Sequence, residues 1–254
     1  MSANPLSFDA ARAGGRLLQA HQAGTQLAFR EVLPPDRAGA YAVQDATVAG
    51  LGAIGGWKVG AKGPQAEPTF APLPASGLLA TGARLHGAVW RMRGIEVEVG
   101  FRLGRDLPAA DGIPGADEIA AAIAEVVPVI EVVETRLADW RTSDPLAQLA
   151  DLQSHGALVL GAPAPLRAAD IDLRSVRAYL AFDGQPVAST FGANPAADIW
   201  RMVGWLAAHA ARRGKPLRAG DLVTTGSCTG MLFAPEGARV QGELAGIGRV
   251  DLQF

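Results

Sequence analysis

The run Pro128-Val129-Ile130-Glu131-Val132-Val133 limits the fold of this chain more than any other stretch. Written as an extended strand it is apolar on both faces, and such a run marks a strand covered on both sides. A single carboxylate interrupts it. A carboxylate buried there is costly unless it is paired or bound to a cation. Glu131 therefore needs a partner, and two kinds are open. One is a buried salt bridge to an arginine, with Arg136 or Arg102 as candidates. The other is a metal ion.

A second stretch bears on that choice. Residues 95–103 alternate, with Ile95, Val97, Val99 and Phe101 on one face and Glu96, Glu98, Gly100 and Arg102 on the other. Glu96 and Glu98 leave the same face, two residues apart. Alone, the pair reads as the solvated face of an amphipathic strand. Together with Glu131 it makes three carboxylates that can reach one cation. No paired histidine or cysteine accompanies them, so the donor set is hard oxygen and suits Mg²⁺ or Mn²⁺ rather than Zn²⁺. Such an ion keeps positions open for a small molecule. A 2-oxo acid can fill two of them with its carboxylate and keto oxygens, the ion then serving as a Lewis acid that stabilises an enolate.

The remaining segments frame these strands. The first sixty residues read as helical. Leu17, Leu18 and Ala20 lie in one helix, and a second starts after Asp36 as N-cap and dissolves at Gly52, Gly55 and Gly56. After Trp57 the segments become short, β-branched and punctuated by Gly and Pro. The sequence predicts a helix over Asp117 to Val127 stopped by Pro128, then strands over Val129 to Thr135 and Ala157 to Leu160. A hairpin turns at Asp183-Gly184. A helix opens at Asn194-Pro195, with Asn194 as cap, and stops at Gly214. Strands at Leu222 to Thr225, Arg239 to Leu244 and Arg249 to Phe254 close the chain. The expected division is a helical cap over residues 1–60, part of the same unit, and a β-rich core over residues 61–254.

The composition excludes several classes. The formal net charge is −2 and there is no basic excess, so neither nucleic acid nor a membrane surface is expected as partner. Cys228 is the single cysteine, which rules out an internal disulfide framework and a cysteine-rich metal site. The start MSANPLSFDAARAGG lacks the pattern of a signal peptide, and the least charged stretch, between Glu67 and Arg84, is too short and proline-rich for a membrane span. A cytoplasmic protein is the expectation.

Several blocks carry a resemblance. They are AYAVQ at 40–44, GWKVG at 56–60, GIEVEVGFRLGRDLP at 94–108, PVIEVVETRLADW at 128–140, GDLVTTGS at 220–227 and LAGIGRVDLQF at 244–254. In order and spacing the chain resembles the 2-keto-4-pentenoate (2-hydroxypenta-2,4-dienoate) hydratase and 4-oxalocrotonate decarboxylase group of the fumarylacetoacetate hydrolase superfamily. The resemblance implies an α+β fold, a mixed β-roll or barrel-like core with an N-terminal helical part. It implies Glu96, Glu98 and Glu131 as metal ligands, and Lys58 at the place associated with substrate contact and proton transfer. It places Ser154, of DLQSHGALVLG, where a hydroxyl can bond a substrate oxygen, although a serine there can equally cap a turn. Without the resemblance, Lys58 reads as a surface lysine in a turn. Thr229 matches a threonine often seen in the decarboxylases and in some hydratases, and is a candidate substrate contact. Members are usually homo-oligomers, and the decarboxylase can associate with the hydratase.

The chain departs from the pattern around the substrate. Where hydratases read D-x-P-D-[FY]-G, it has Ala66-Glu67-Pro68-Thr69-Phe70-Ala71. Thr69 replaces an aspartate implicated in acid/base chemistry, and a hydroxyl is no general base near neutral pH. The D-N-A-S run is Asp151-Leu152-Gln153-Ser154. Glu67 and His155 are the candidate substitutes for the lost acid/base group. Three functions follow as expectations. The first is a divalent-metal-dependent lyase of the hydratase type, acting on a 2-hydroxydienoate or small 2-oxo acid in aromatic catabolism. The second is a 4-oxalocrotonate-type decarboxylase. The third is a catalytically weak hydratase-like subunit kept for binding or assembly.

Overall fold

The computed structural model describes residues 8–107 and 112–254. Residues 1–7, part of the MSANPLSFDAARAGG start, and Pro108 at the end of the GIEVEVGFRLGRDLP block lie outside the described residues. Among the described residues there are five α-helices and thirteen strands, and no helix is long and apolar enough to cross a membrane.

The N-terminal part is a pair of helices, α1 (Ala10–Ala23) and α2 (Arg37–Leu51). Asp36 caps α2 as its sequence suggests, its Oδ1 accepting the Gly39 amide at 2.7 Å. The two helices cross closely at Gly14, where a Cβ would sit 2.5 Å from that of Ala46. They bury Leu17, Ala40 and Val43 against Leu137, Ala147 and Leu149 of the core.

Strands β1 (Ile54–Gly60), β2 (Thr69–Pro74), β3 (Leu78–Ala80) and β4 (Ala83–Arg84) follow. Next come β5 (Gly94–Leu103), α3 (Ala116–Ala122), β6 (Ile123–Val133), α4 (Pro145–Ala150) and β7 (His155–Leu160). The chain closes with β8 (Arg177–Phe182), β9 (Gln185–Phe191), α5 (Ile199–Arg212), β10 (Leu222–Ser227), β11 (Leu232–Phe233), β12 (Arg239–Leu244) and β13 (Gly248–Gln253). They form a curled, mixed eight-stranded sheet ordered β2-β1-β10-β5-β6-β7-β3, with β11 also on β5, and a five-stranded sheet ordered β4-β13-β12-β8-β9. This is the α+β, half-barrel core with an N-terminal helical part that the sequence implies. The main core lies between the sheets: Val97, Phe101 and Ile130 face Val240, Leu244 and Val250, all buried. Because β1 already belongs to the large sheet, Lys58 sits in a central strand and not in a turn.

β1 is a strand inside the stretch expected to be helical, and two helices also differ from their sequence expectation. The helix expected to run from Asp117 to Val127 ends at Ala122, and Pro128 lies inside β6, opposite Val99, instead of stopping a helix. The β-branched Val126 and Val127 pair with Phe101 and Gly100 of β5, and that ladder overrides local helix preference. The β6–β7 ladder reaches only as far as Val129, so proline falls where pairing on that side gives out. The helix expected to open at Asn194 instead begins at Ile199. Its cap is Asp198, whose side chain accepts the Arg201 amide at 3.1 Å. Asn194 is drawn elsewhere, as the site shows.

Candidate active site

β5 and β6 are antiparallel neighbours in a register that sets Glu96 directly opposite Glu131 and Glu98 opposite Val129. Glu96 and Glu98 share a face of β5, and Glu131 joins them there. One carboxylate oxygen from each lies within 4.8 Å of the others. Glu98 and Glu131 are buried. Burial first, then the charges of neighbouring carboxylates, pushes Glu96 up to about 7 and Glu98 up to about 8. Three converging carboxylates with so little solvent fit a hard divalent cation, which would hold all three ionised.

Lys58 reaches the cluster from β1. Its ammonium donates to Glu131 Oε1 and to the Gln153 carbonyl oxygen, the latter at 3.3 Å. Burial works against the charged lysine, but the charges of Glu131, Glu96 and Glu98 outweigh it and raise its pKa. Glu131 shows the converse. Burial alone would raise it, but Lys58 and His155 hold it below the usual carboxylate range. Neither arginine named from sequence takes this place: Arg136 pairs with Asp151 at 2.6 Å and Arg102 with Glu125 at 3.0 Å.

β10 supplies the groups that orient the pair on β5. Thr224 Oγ1 donates to Glu98 Oε2, and the Gly226 amide donates to the same oxygen at 3.1 Å. Ser227 lines the cleft beside Glu96 and lowers its pKa against the effect of burial. These contacts depend on a bulge, because the β10–β5 register slips between Thr224 and Ser227. Gly226 occupies φ +95°, a conformation that favours glycine. Asn194 Nδ2 holds the bulge by donating to the carbonyls of Thr225 (3.0 Å) and Gly226 (2.7 Å). Sequence reasoning missed these residues, although a glycine inside Thr-Thr-Gly-Ser is a bulge signal.

The turn before β7 is built around the buried Arg136–Asp151 pair. Asp151 Oδ2 accepts from Thr135 Oγ1 and the Arg136 amide. The guanidinium also donates to the carbonyls of Asp151 and His155 at 2.9 and 2.7 Å. Between these anchors Leu152, Gln153 and Ser154 all take left-handed φ of +50° to +56°, a strained path for three non-glycine residues. The path delivers the Gln153 carbonyl to Lys58. It also lets Gln153 Nε2 donate to Thr69 Oγ1 at 2.6 Å.

The other named residues lie as follows. Glu67 is at the cleft mouth, 64% exposed, in an ion pair with Arg37. His155 is buried behind Glu131, with Nδ1 3.3 Å from Oε1; burial lowers its pKa against the pull of Glu131. Ser154 Oγ accepts from Trp140 Nε1 at 3.0 Å. Thr229 is not brought to the cleft: its hydroxyl accepts from the Val97 amide and donates to the Gly230 carbonyl. The cleft over the carboxylates encloses about 540 Å³ and is lined by Lys58, Thr69, Gln153 and the bulge.

Comparison with known proteins bears on the family and the fold. The family described as fumarylacetoacetate (FAA) hydrolase C-terminal matches residues 45–254. A 2-keto-4-pentenoate hydratase of Paraburkholderia xenovorans is 36% identical over 160 residues, 63% of this chain but 58% of the relative. A 2-keto-4-pentenoate hydratase of Burkholderia vietnamiensis is 32% identical over 254 residues, covering 94% of this chain and 95% of the relative. Among solved structures, 4-oxalocrotonate decarboxylase from Pseudomonas putida G7, complexed with magnesium and adipate, superposes with a TM-score of 0.84. It is 22% identical, over 96% of this chain and 97% of that one, and its likeness is one of fold.

Proposed function

Given that the chain belongs to the fumarylacetoacetate hydrolase C-terminal family, we propose that it is a divalent-metal-dependent lyase of the 2-keto-4-pentenoate hydratase type. It would act on a 2-hydroxydienoate or the corresponding 2-oxo acid. The observation that carries this is the convergence of Glu96, Glu98 and Glu131 beside Lys58. The three glutamates would hold Mg²⁺ or Mn²⁺, which supplies Lewis acidity toward the substrate's carboxylate and keto oxygens.

The chain's own residues do the rest. Thr224 and Gly226 keep Glu98 turned into the cleft. Lys58, charged and held by Glu131 and the Gln153 carbonyl, is the group placed to give a proton to a substrate carbon or oxygen. His155 donates from Nδ1 to Glu131 and so fixes that carboxylate from behind, a positioning role rather than contact with substrate. Glu67 is the carboxylate left for acid/base work at the mouth, where Arg37 engages it. Homo-oligomer formation is part of the proposal, with Phe191 and Val187 of edge strand β9 exposed to support it.

A second reading has its own observation. Thr69 and Gln153 hydrogen-bond each other where a general base is expected, which leaves that wall of the cleft neutral. Decarboxylation of a 2-oxo diacid needs no water-activating base there. With Mg²⁺ present, bleaching of the 2-hydroxypenta-2,4-dienoate absorbance supports hydration, and CO₂ release from 4-oxalocrotonate supports decarboxylation. Saturable metal binding without either turnover would leave a binding or assembly subunit.

A further inference from the structure

The cleft does not end at Lys58. A second lobe of about 410 Å³ opens beyond it, sharing Arg37, Lys58, Lys62, Thr69, Glu96 and Gln153 with the first. The two lobes therefore adjoin, with Glu96 and Lys58 among the side chains that line both. The second lobe alone is lined by Val133, Trp140, Pro145, Leu146, Leu149 and Met231. Its volume is within the range of pockets that take small ligands.

Polar groups found in that lobe and not in the first bond to one another. Trp140 Nε1 donates to Ser154 Oγ at 3.0 Å. Gln148 Nε2 donates to the Trp140 carbonyl and to Ser143 Oγ, at 2.9 and 3.1 Å. Away from the residues it shares with the first lobe, its wall is mainly apolar. Its cations are among the shared residues, where Arg37 is paired with Glu67 and Lys62 is exposed to water.

We propose that the second lobe is a subsite for an apolar tail, so that the preferred substrates are 2-hydroxydienoates or 2-oxo acids bearing an alkyl or aryl group at the end remote from the carboxylate. This rests on the reading of the three glutamates as a metal site. The acid end sits over the carboxylate cluster and the tail passes Lys58 and Gln153 into the lobe. Leu146 and Met231, which touch neither the cluster nor Lys58 through any hydrogen bond, set how much tail is accepted.

The test is calorimetric binding of 2-oxo acids to the Mg²⁺-loaded protein: pyruvate, 2-oxopentanoate, 2-oxoheptanoate and the diacid 2-oxoadipate. Affinity is expected to rise about fourfold per methylene until the lobe fills, the ratio corresponding to burial of one CH₂. 2-Oxoadipate is expected to bind more weakly than 2-oxoheptanoate. Leu146→Asp and Met231→Trp should flatten the series and leave pyruvate affinity unchanged. Pyruvate binding with no gain from longer tails, or a preference for the diacid, overturns the subsite while sparing the metal site. Failure of every 2-oxo acid to bind overturns both.

Discussion

At the scale of single residues, the site turns on a competition for Glu131. Lys58 and a cation seek the same carboxylate, and Lys58 is held there now. Replacing Lys58 with Met removes the competitor and the proton carrier together. Turnover should fall by about 10²–10⁴, while Mg²⁺ affinity measured by titration should stay equal or tighten. Unchanged turnover would sink the role given to Lys58. Glu131 was legible in the sequence because it is the one charge in a run apolar on both faces. Gln153 was not, since its part depends on a left-handed path that only the Arg136–Asp151 pair explains. Thr229 belongs to a short motif near the site, and its hydroxyl serves the backbone of β5.

At the scale of elements, β5, β7, β8, β10, β12 and β13 were readable, and β1 to β4 were not. Alternation placed β5, and the Asp183-Gly184 turn placed the β8–β9 hairpin. Local signals failed at Pro128 and Asn194, where pairing with β5 and support of the β10 bulge outweigh helix preference. Asp198, the actual cap, and Asn194, the expected one, separate cleanly by experiment. Asp198→Ala should cost about 1 kcal/mol in denaturant unfolding and leave metal binding alone. Asn194→Ala should instead loosen the bulge that presents the Gly226 amide to Glu98, and weaken Mg²⁺ binding. Equal effects of the two on metal affinity would contradict this division of labour. Asp151→Asn leaves the Arg136 charge buried beside the strained turn, and a loss of about 3–5 kcal/mol is expected from urea melts.

At the scale of the whole molecule, a buried histidine of the helical part makes stability depend on pH, in the direction opposite to Glu96 and Glu98. His21, on α1, is pushed down to about 2 by burial, with Arg136 and His155 adding to it. In the unfolded chain it titrates near 6.5. The unfolded state therefore takes the proton first. Stability is full above about pH 6.5 and falls below it by about 1.4 kcal/mol per pH unit for this group. His155, lowered in the same direction, adds to the slope. Melts of His21→Gln between about pH 6 and pH 4 should show a shallower decline than the parent, and an identical decline would remove His21 from the explanation. The function proposed for the molecule stands or falls on the carboxylate cluster, and calorimetric titration of Mg²⁺ into the parent protein, Glu131→Gln and Glu98→Gln addresses it directly. Saturable single-site binding is expected in the parent, and both variants should bind more than about 100-fold more weakly, beyond the loss caused by removing an outer-shell partner. Unchanged Mg²⁺ affinity in Glu131→Gln would show that the three glutamates do not form a metal centre.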